Sequence, residues 1–246
     1  HIDLWGIYWM NKLPNINVAP VHRLHINILD QDINYVPFTV AQEKGYISAI
    51  TNKDMGDIVN NYLFLAKSCV QEDLEWEKMS LIDFITIAIN IRAKSQGETI
   101  SLQKNECRKC KKSFPFDVNI EKAICFDNID VKKIIHKIDD KLSVELKPLS
   151  IDYLYEIEKL EDELDIYIST ISHSISKIFF NDQIYTGLKP ENVKENCVNN
   201  LSKRQIEDII KQISNMITMN LKFDVECPHC KDIERLSISN FLEFLS

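Results

Sequence analysis

The chain has 246 residues, of which 45% are hydrophobic, and its formal net charge is −8. This length and apolar content support a folded core and exclude a disordered protein. The net negative charge repels phosphate, which disfavours a general nucleic-acid binder.

The first 39 residues have little periodicity, and we predict that they form an N-terminal arm. The region contains two tryptophans and three prolines: Trp5, Trp9, Pro14, Pro20 and Pro37. A short strand-like run lies near residues 24–29. Aromatic residues on such a terminus either fold back onto their own domain or anchor the chain to a partner, and the sequence leaves both possibilities open.

Residues 40–97 show helical spacing of apolar residues, which predicts an N-terminal helical core. Two helices are expected at residues 39–49 and 54–69. A third begins after Ser80, is apolar nearly all round and ends at Gly97, and these two residues suit a helix N-cap and C-cap. This apolar stretch is the longest in the chain, but it is too short and too interrupted to span a bilayer. We therefore predict no membrane segment.

Two CxxC pairs each lie between two strand-like runs. The four cysteines are Cys107, Cys110, Cys227 and Cys230. The first pair is flanked by residues 99–104 and 113–120, and the second by residues 221–225 and 233–238. Each pattern predicts a β-hairpin with a cysteine pair at its tip.

The segment between the two hairpins, residues 127–218, is predicted to be mainly helical. Residues 142–146 form a strand-like run, and a helix is expected at about residues 151–160. Apolar residues at steps of four and three predict a helix in a local bundle: Leu164, Ile168, Ile171, Ile175 and Ile178. Ser202 and Gln205 form a capping box that opens the last long helix.

The two cysteine pairs together predict one structural zinc ion, bound by Cys107, Cys110, Cys227 and Cys230. Structural zinc takes four ligands in a tetrahedron, and each CxxC turn offers two sulfurs. The long separation of the pairs is no obstacle, because strands that are neighbours in space need not be neighbours in sequence. The alternatives are free thiols or redox use, and the latter lacks a thioredoxin-like βαβ context.

The seven cysteines are an odd number, which argues against a secreted disulfide framework and for a reducing compartment. The chain begins with His1, and nothing there has the order of a secretory signal, so we expect synthesis in a cytosol. We predict structural roles for Cys69, Cys125 and Cys197, which have no partner at ligand spacing.

No sequence feature predicts catalysis. His22 and His25 lack a third metal ligand nearby, and they are interpreted as surface histidines. The acidic run at residues 156–165 lacks the pattern of an EF-hand, and we interpret it as a solvated helix junction. A nucleophile elbow, a P-loop, a dinucleotide glycine pattern and an HExxH motif are all missing from the sequence. We predict that the protein is not an enzyme and has no small-molecule substrate.

These elements predict an α+β fold class, mainly helical, with a split four-cysteine zinc ribbon formed by two β-hairpins and a helical insertion between them. The predicted division is an arm at 1–39, a helical core at 40–97, the first half of the ribbon at 98–126, the helical insertion at 127–218 and the second half of the ribbon at 219–246.

Several segments resemble the baseplate hub subunit family of T4-like contractile-tailed bacteriophages. They are VPFTVAQEK at 36–44, IRAKSQGE at 91–98, a strand near LKP at 146–148 and a final aromatic segment, in the order in which family members carry them. The resemblance covers about residues 35–245. Lys111 and Lys231 stand where such turns often have glycine, which relieves strain at positive φ.

The resemblance implies a structural or assembly subunit of the baseplate hub that binds other phage tail proteins. It further implies assembly in the bacterial host cytoplasm and a final location in the virion tail baseplate. Two alternatives are kept. One is a zinc-ribbon nucleic-acid-binding or transcription-related factor, suggested by the basic residues 108–112. The other is a baseplate assembly chaperone that is absent from the mature particle.

Overall fold

A computed structural model describes residues 19–44, 55–104, 106–157 and 159–238. Part of the predicted arm, residues 1–18, lies outside these ranges, as does the second half of the helix predicted at residues 39–49. The domain boundaries given above stay predictions.

The described part of the predicted arm contains an antiparallel hairpin. Strand β1 is His22–Ile26 and strand β2 is Gln31–Tyr35. The hairpin packs against the rest of the chain through Ile26 and Ile33, whose side chains are fully buried. A bridge from Tyr35 to Val70, which directly follows the helix Met55–Cys69, extends this contact.

Two helices form the centre of the N-terminal region. Helix α1 is Met55–Cys69, and helix α2 is Leu81–Gln96. The Ser80 hydroxyl accepts the N–H of Asp83 at the start of α2, and Gly97 ends the helix at φ 117°, so the predicted caps are confirmed. Most side chains of α2 are buried, as expected of a helix that is apolar nearly all round.

The first CxxC pair lies between two antiparallel strands, as predicted. Strand β3 is Thr99–Lys104 and strand β4 is Phe114–Asn119. One helical turn, α3 (Ile120–Ala123), then leads into strand β5 (Ile124–Asp127).

The second CxxC pair also lies between two antiparallel strands. Strand β10 is Thr218–Glu226 and strand β11 is Ile233–Ile238. The first part of β10 pairs with β5, so β11, β10 and β5 form a three-stranded sheet.

A four-stranded antiparallel sheet of order β6-β7-β8-β9 dominates residues 127–218. Its strands are β6 (Ile134–Lys137), β7 (Leu142–Leu146), β8 (Ile175–Phe180) and β9 (Gln183–Tyr185). The helices of this segment are α4 (Asp152–Ile157), α5 (Glu163–Ser174), α6 (Pro190–Asn196) and α7 (Lys203–Ile213). The capping box that begins α7 is confirmed.

The predicted fold class is wrong, because the chain is not mainly helical: 38% of the described residues are in helices and 30% in strands, with several antiparallel sheets. The insertion is not helical throughout, since its sheet has four strands. The two cysteine hairpins also belong to different sheets, so the single split zinc ribbon is not what the chain forms.

The physical reason for the error lies at the end of α5. We predicted one helix through Ile175 and Ile178, but α5 ends at Ser174, and both residues lie in β8. Isoleucine and phenylalanine suit a pleated surface, and β8 pairs with β7 from Phe180 to Ile175, with one register shift between Glu145 and Leu146. Tertiary pairing thus overrides the helical spacing.

The described residues bury three apolar clusters. The first surrounds α2 and includes Phe84 and Ile87. The second lies between the four-stranded sheet and helices α5 to α7, with Val144 and Ile171 fully buried. The third is small and lies beneath the two cysteine turns. The segment between the hairpins therefore has its own core.

Candidate metal centre

The two CxxC turns meet, and their four sulfur atoms all lie within 4.8 Å of one another. Cys107 Sγ is 3.7 Å from Cys230 Sγ, and Cys110 Sγ is 3.6 Å from Cys227 Sγ. Both short contacts run from one hairpin to the other. A tetrahedral centre with metal–sulfur bonds of about 2.3 Å has sulfur–sulfur edges of about 3.8 Å. The four cysteines therefore lie close enough to hold one metal ion.

Backbone hydrogen bonds shape the first turn. The N–H of Cys107 donates to the carbonyl of Lys112 at 3.0 Å, and the N–H of Lys111 donates to the carbonyl of Cys107 at 3.0 Å. These two bonds fold the chain tightly around the cysteine pair, so that both of its sulfurs face the same side.

The second turn repeats this arrangement. The N–H of Cys227 donates to the carbonyl of Asp232 at 2.8 Å, and the N–H of Lys231 donates to the carbonyl of Cys227 at 2.9 Å. Lys111 and Lys231 have φ of 62° and 61°. Both positions thus use the left-handed conformation that favours glycine, as expected from the place of these lysines in the motif.

Aromatic side chains of the two hairpins pack against each other next to the cysteine turns. Phe116 of β4 and Phe223 of β10 have ring centroids 5.9 Å apart, and Phe114 packs beside Phe116. Val225 and Leu236 complete this small cluster. A two-stranded hairpin is marginally stable alone, so this contact helps to hold the two hairpins together.

The thiols of Cys227 and Cys230 differ in how easily they lose a proton. Burial raises the pKa of Cys227, but the backbone N–H groups of Cys230 and His229 outweigh it and lower this pKa to about 7. The N–H of Asp232 lowers the pKa of Cys230, whereas burial and the neighbouring thiols raise it, to about 12. A second negative charge is disfavoured beside the first. A cation among the sulfurs would remove this repulsion.

A carboxylate of the second hairpin contacts the first hairpin beside the sulfurs. Glu234 Oε1 accepts the backbone N–H of Arg108 at 2.7 Å. Glu234 Oε2 lies 3.3 Å from Lys104 Nζ and 3.4 Å from Arg108 Nε. The Arg108 N–H bond, helped by Lys104, holds the pKa of Glu234 below its ordinary value although burial opposes this.

Other basic residues of the first turn also have acidic partners. Lys109 Nζ lies 3.7 Å from Asp232 Oδ1, and Lys111 Nζ lies 2.9 Å from Glu106 Oε1. The turn therefore presents less unpaired positive charge than its sequence suggests.

Sequence reasoning found the four cysteines but missed Glu234. In β11, Ile233 and Arg235 are exposed whereas Glu234 is buried. A signal for this was available, because period-2 alternation places Glu234 on the same face of β11 as Leu236, which packs against the small cluster. Among the described residues, one other group has ligand spacing, and it combines Cys107 with Asp232 and Glu234.

The remaining cysteines lie away from the centre. Cys69 is buried in the first core and Cys197 in the second, and burial raises the pKa of both thiols. Cys125 lies in β5.

The two histidines considered from the sequence make separate contacts. The His22 ring lies 5.4 Å from the ring of Tyr35, and His25 Nδ1 lies 3.1 Å from Asp32 Oδ1. Neither belongs to a group with metal-ligand spacing among the described residues.

Comparison with known proteins gives one family. A family whose description is T4 bacteriophage base plate protein matches residues 19–246, which is nearly the whole chain. No curated protein and no solved structure matches significantly. Over the described residues, none of the helices has the length and apolar character needed to cross a membrane.

Proposed function

The chain belongs to the T4 bacteriophage base plate protein family, whose members are components of the virion tail baseplate, and we propose that it is a structural hub subunit with one zinc ion at its cysteine centre. The hub assignment rests on the motif order at residues 36–44, 91–98 and 146–148. The family supports interaction with other phage tail proteins.

The observation that carries the zinc proposal is the pair of sulfur–sulfur contacts of 3.6 and 3.7 Å between the hairpins. These distances match the edges of a tetrahedral four-sulfur shell. Four-thiolate tetrahedral sites take zinc or iron. We propose zinc because the centre joins two structural hairpins and needs no redox change.

The proposed role of the ion is to join two distant parts of the chain. Structural zinc binding contributes folding free energy on the order of 10 kcal/mol in small zinc-finger peptides. A shell of four cysteines leaves no open position at which water could be activated. This closed shell supports a structural protein rather than an enzyme.

Elemental analysis of the purified chain tests the metal proposal. We expect about one zinc per chain, from four thiolates around one ion. Purification should be gentle and free of chelators, and iron should be measured in the same samples. A chain that contains neither metal, and that takes up none when zinc is added to the reduced protein, contradicts the proposal.

Quantitative mass spectrometry of purified particles tests the place in the virion. A hub subunit is expected in stoichiometric amounts, whereas an assembly chaperone is expected in lysates and lost from finished particles. Cross-linking within the particle should place this chain next to other baseplate proteins. Cross-links confined to other parts of the tail contradict the hub assignment.

The nucleic-acid alternative has less support. Its sequence basis was the basic run at 108–112, but Arg108, Lys109 and Lys111 each lie within 4 Å of a carboxylate. Paired cations have less charge to offer to phosphates. A salt-dependent shift of DNA mobility at micromolar protein would favour the alternative.

A further inference from the structure

Glu234 occupies an unusual position for an acidic residue on a strand. Its side chain is 7% exposed, while the neighbouring Ile233 is 66% exposed. Burying a carboxylate is unfavourable unless hydrogen bonds and cations compensate. The orientation of β11 therefore places Glu234 against specific partners on the other hairpin.

Every contact of Glu234 described above crosses from the second hairpin to the first. The N–H of Arg108 donates to one carboxylate oxygen at 2.7 Å, and Lys104 Nζ and Arg108 Nε lie 3.3 and 3.4 Å from the other. Lys104 ends β3, and Arg108 begins the cysteine turn. The Glu234 side chain thus contacts one residue before Cys107 and one residue after it.

These contacts lie next to the cysteine centre. Arg108 directly follows Cys107, so the bond to its N–H orients the peptide group that joins the two residues. A carboxylate oxygen of Glu234 also lies within 4.8 Å of Cys107 Sγ. A four-sulfur shell needs both turns in register, and residues that orient metal ligands from outside the shell commonly control metal affinity.

The charge of Glu234 and its position predict opposite effects of its removal on cation binding. A carboxylate near thiolates repels them, so its removal alone would strengthen cation binding. The same carboxylate orders the first turn and neutralises Lys104 and Arg108 beside the centre. The direct backbone bond at 2.7 Å, made by a nearly buried group, favours the positional effect.

We propose that Glu234 is the positioning residue of the metal centre, which docks the first cysteine hairpin onto the second and thereby strengthens binding of the ion. This inference rests on the proposed zinc site. Glu234 is not a ligand in this arrangement, because four sulfurs complete the shell.

The test compares zinc affinity of the reduced full chain with that of E234A and E234Q, by competition with a chromophoric chelator. E234A should bind zinc about 10- to 100-fold more weakly. E234Q keeps an acceptor for the Arg108 N–H but loses both ion pairs, so a smaller loss is expected. The absorption spectrum with Co²⁺ should keep its four-thiolate character in both variants.

The matched control is D224N. Asp224 of β10 pairs with Arg235 of β11 at 2.9 and 3.3 Å, so this ion pair lies within one hairpin and does not reach the other. D224N should bind zinc as the wild type does, which separates cross-hairpin docking from loss of any carboxylate in the sheet.

The outcomes separate the two proposals. A wild-type chain that binds no zinc rejects the metal site itself. Wild-type zinc binding with unchanged or tighter binding by E234A and E234Q rejects the positioning role alone. If E234A does not fold, E234Q decides, because its side chain has the same size and still accepts a hydrogen bond. A Co²⁺ spectrum that loses oxygen ligation in E234Q would show Glu234 to be a ligand and would also reject the proposal.

Discussion

Cys107 and Cys230 are separated by 123 positions in the chain, yet their sulfur atoms lie 3.7 Å apart. The free-energy cost of closing a loop rises only slowly with its length, so a long insertion between the two turns is tolerated. Much of the intervening chain has a core of its own around Val144 and Ile171. The cysteine centre and this core are therefore separate parts of the fold.

Removal of the proposed metal should affect the two parts differently. We expect chelation to accelerate amide hydrogen exchange in β3, β4 and β11, because the two hairpins lose the proposed metal ion that joins them. Exchange in β7, the centre of the four-stranded sheet, should change little. Mass spectrometry of exchanged peptides with and without chelator measures both. Uniform acceleration throughout the chain would contradict separate stabilisation.

Serine substitution of single cysteines should distinguish a ligand from a core thiol. C227S removes one of four sulfurs, and we expect its melting temperature to fall by ~10 °C or more. C197S alters a thiol buried in the second core, and its smaller effect should persist in chelator. Thermal melts in zinc and in chelator provide the comparison. Chelator should lower the melting temperature of C197S but not that of C227S; equal sensitivity contradicts the assignment.

Lys111 should be a source of backbone strain in the first turn. Its φ of 62° is unfavourable for a residue with a Cβ, whereas glycine adopts it readily. We expect K111G to raise the melting temperature by about 2 °C. K111A is the matched control, because it loses the same exposed contact with Glu106 but keeps a Cβ. Equal melting temperatures of the two variants would show that φ is not the cause.

The sequence predicted local features where side chains alone decide them. Ser80 and Gly97 cap α2 as expected, and the two CxxC pairs lie in hairpin turns. The helix predicted from the spacing of Ile175 and Ile178 was wrong, because isoleucines at helical spacing also suit a strand once a partner strand is available. That partner, β7, lies far earlier in the sequence, on the other side of α4 and α5.

The four cysteines of the candidate centre could be selected from the sequence, but their surroundings could not. A CxxC pair is a short motif that specifies two sulfurs. The role of Glu234 depends on Lys104 and on Arg108, which lies 126 residues earlier, and on which face of β11 turns inward. The alternation along β11 indicates which face turns inward, but the partners on the distant first hairpin cannot be read from the sequence of one strand.

Acid should weaken the four-stranded sheet through Glu145. The Ser176 hydroxyl donates to Glu145 Oε1 at 2.7 Å, and Lys177 Nζ donates to Oε2 at 3.0 Å. The Ser176 bond lowers the pKa of Glu145, as does Lys177, although burial opposes them. A lowered pKa means stability that is present above the ordinary value of 4.5 and lost as the pH falls through the folded value.

E145Q provides the measurement for this prediction. The wild type should be more stable than E145Q at pH 7, and this difference should shrink progressively below about pH 4.5. Urea denaturation of both proteins at several pH values gives the difference directly. A difference that grows on acidification has the wrong sign and would exclude a stabilising charge at this position.

Asp83 should hold the N-terminal hairpin onto α2. Its carboxylate is fully buried, and its two oxygens each accept a backbone N–H at 3.0 Å, from Ile28 and Leu29 in the turn between β1 and β2. An asparagine offers one acceptor oxygen in place of two and brings an NH₂ group into the space of the other. D83N therefore loses one hydrogen bond and leaves buried polar atoms unpaired, which we expect to lower the free energy of unfolding by about 1–3 kcal/mol.

The control is D30N, at an exposed position in the same turn with φ of 54°, where asparagine is well tolerated. Urea denaturation compares the two variants. Because hairpin and helix share one core, D83N should also speed amide exchange in β1 relative to α2. Equal stability of D83N and D30N would mean that the two N–H groups find other acceptors, and that the Asp83 carboxylate is not needed to hold the hairpin.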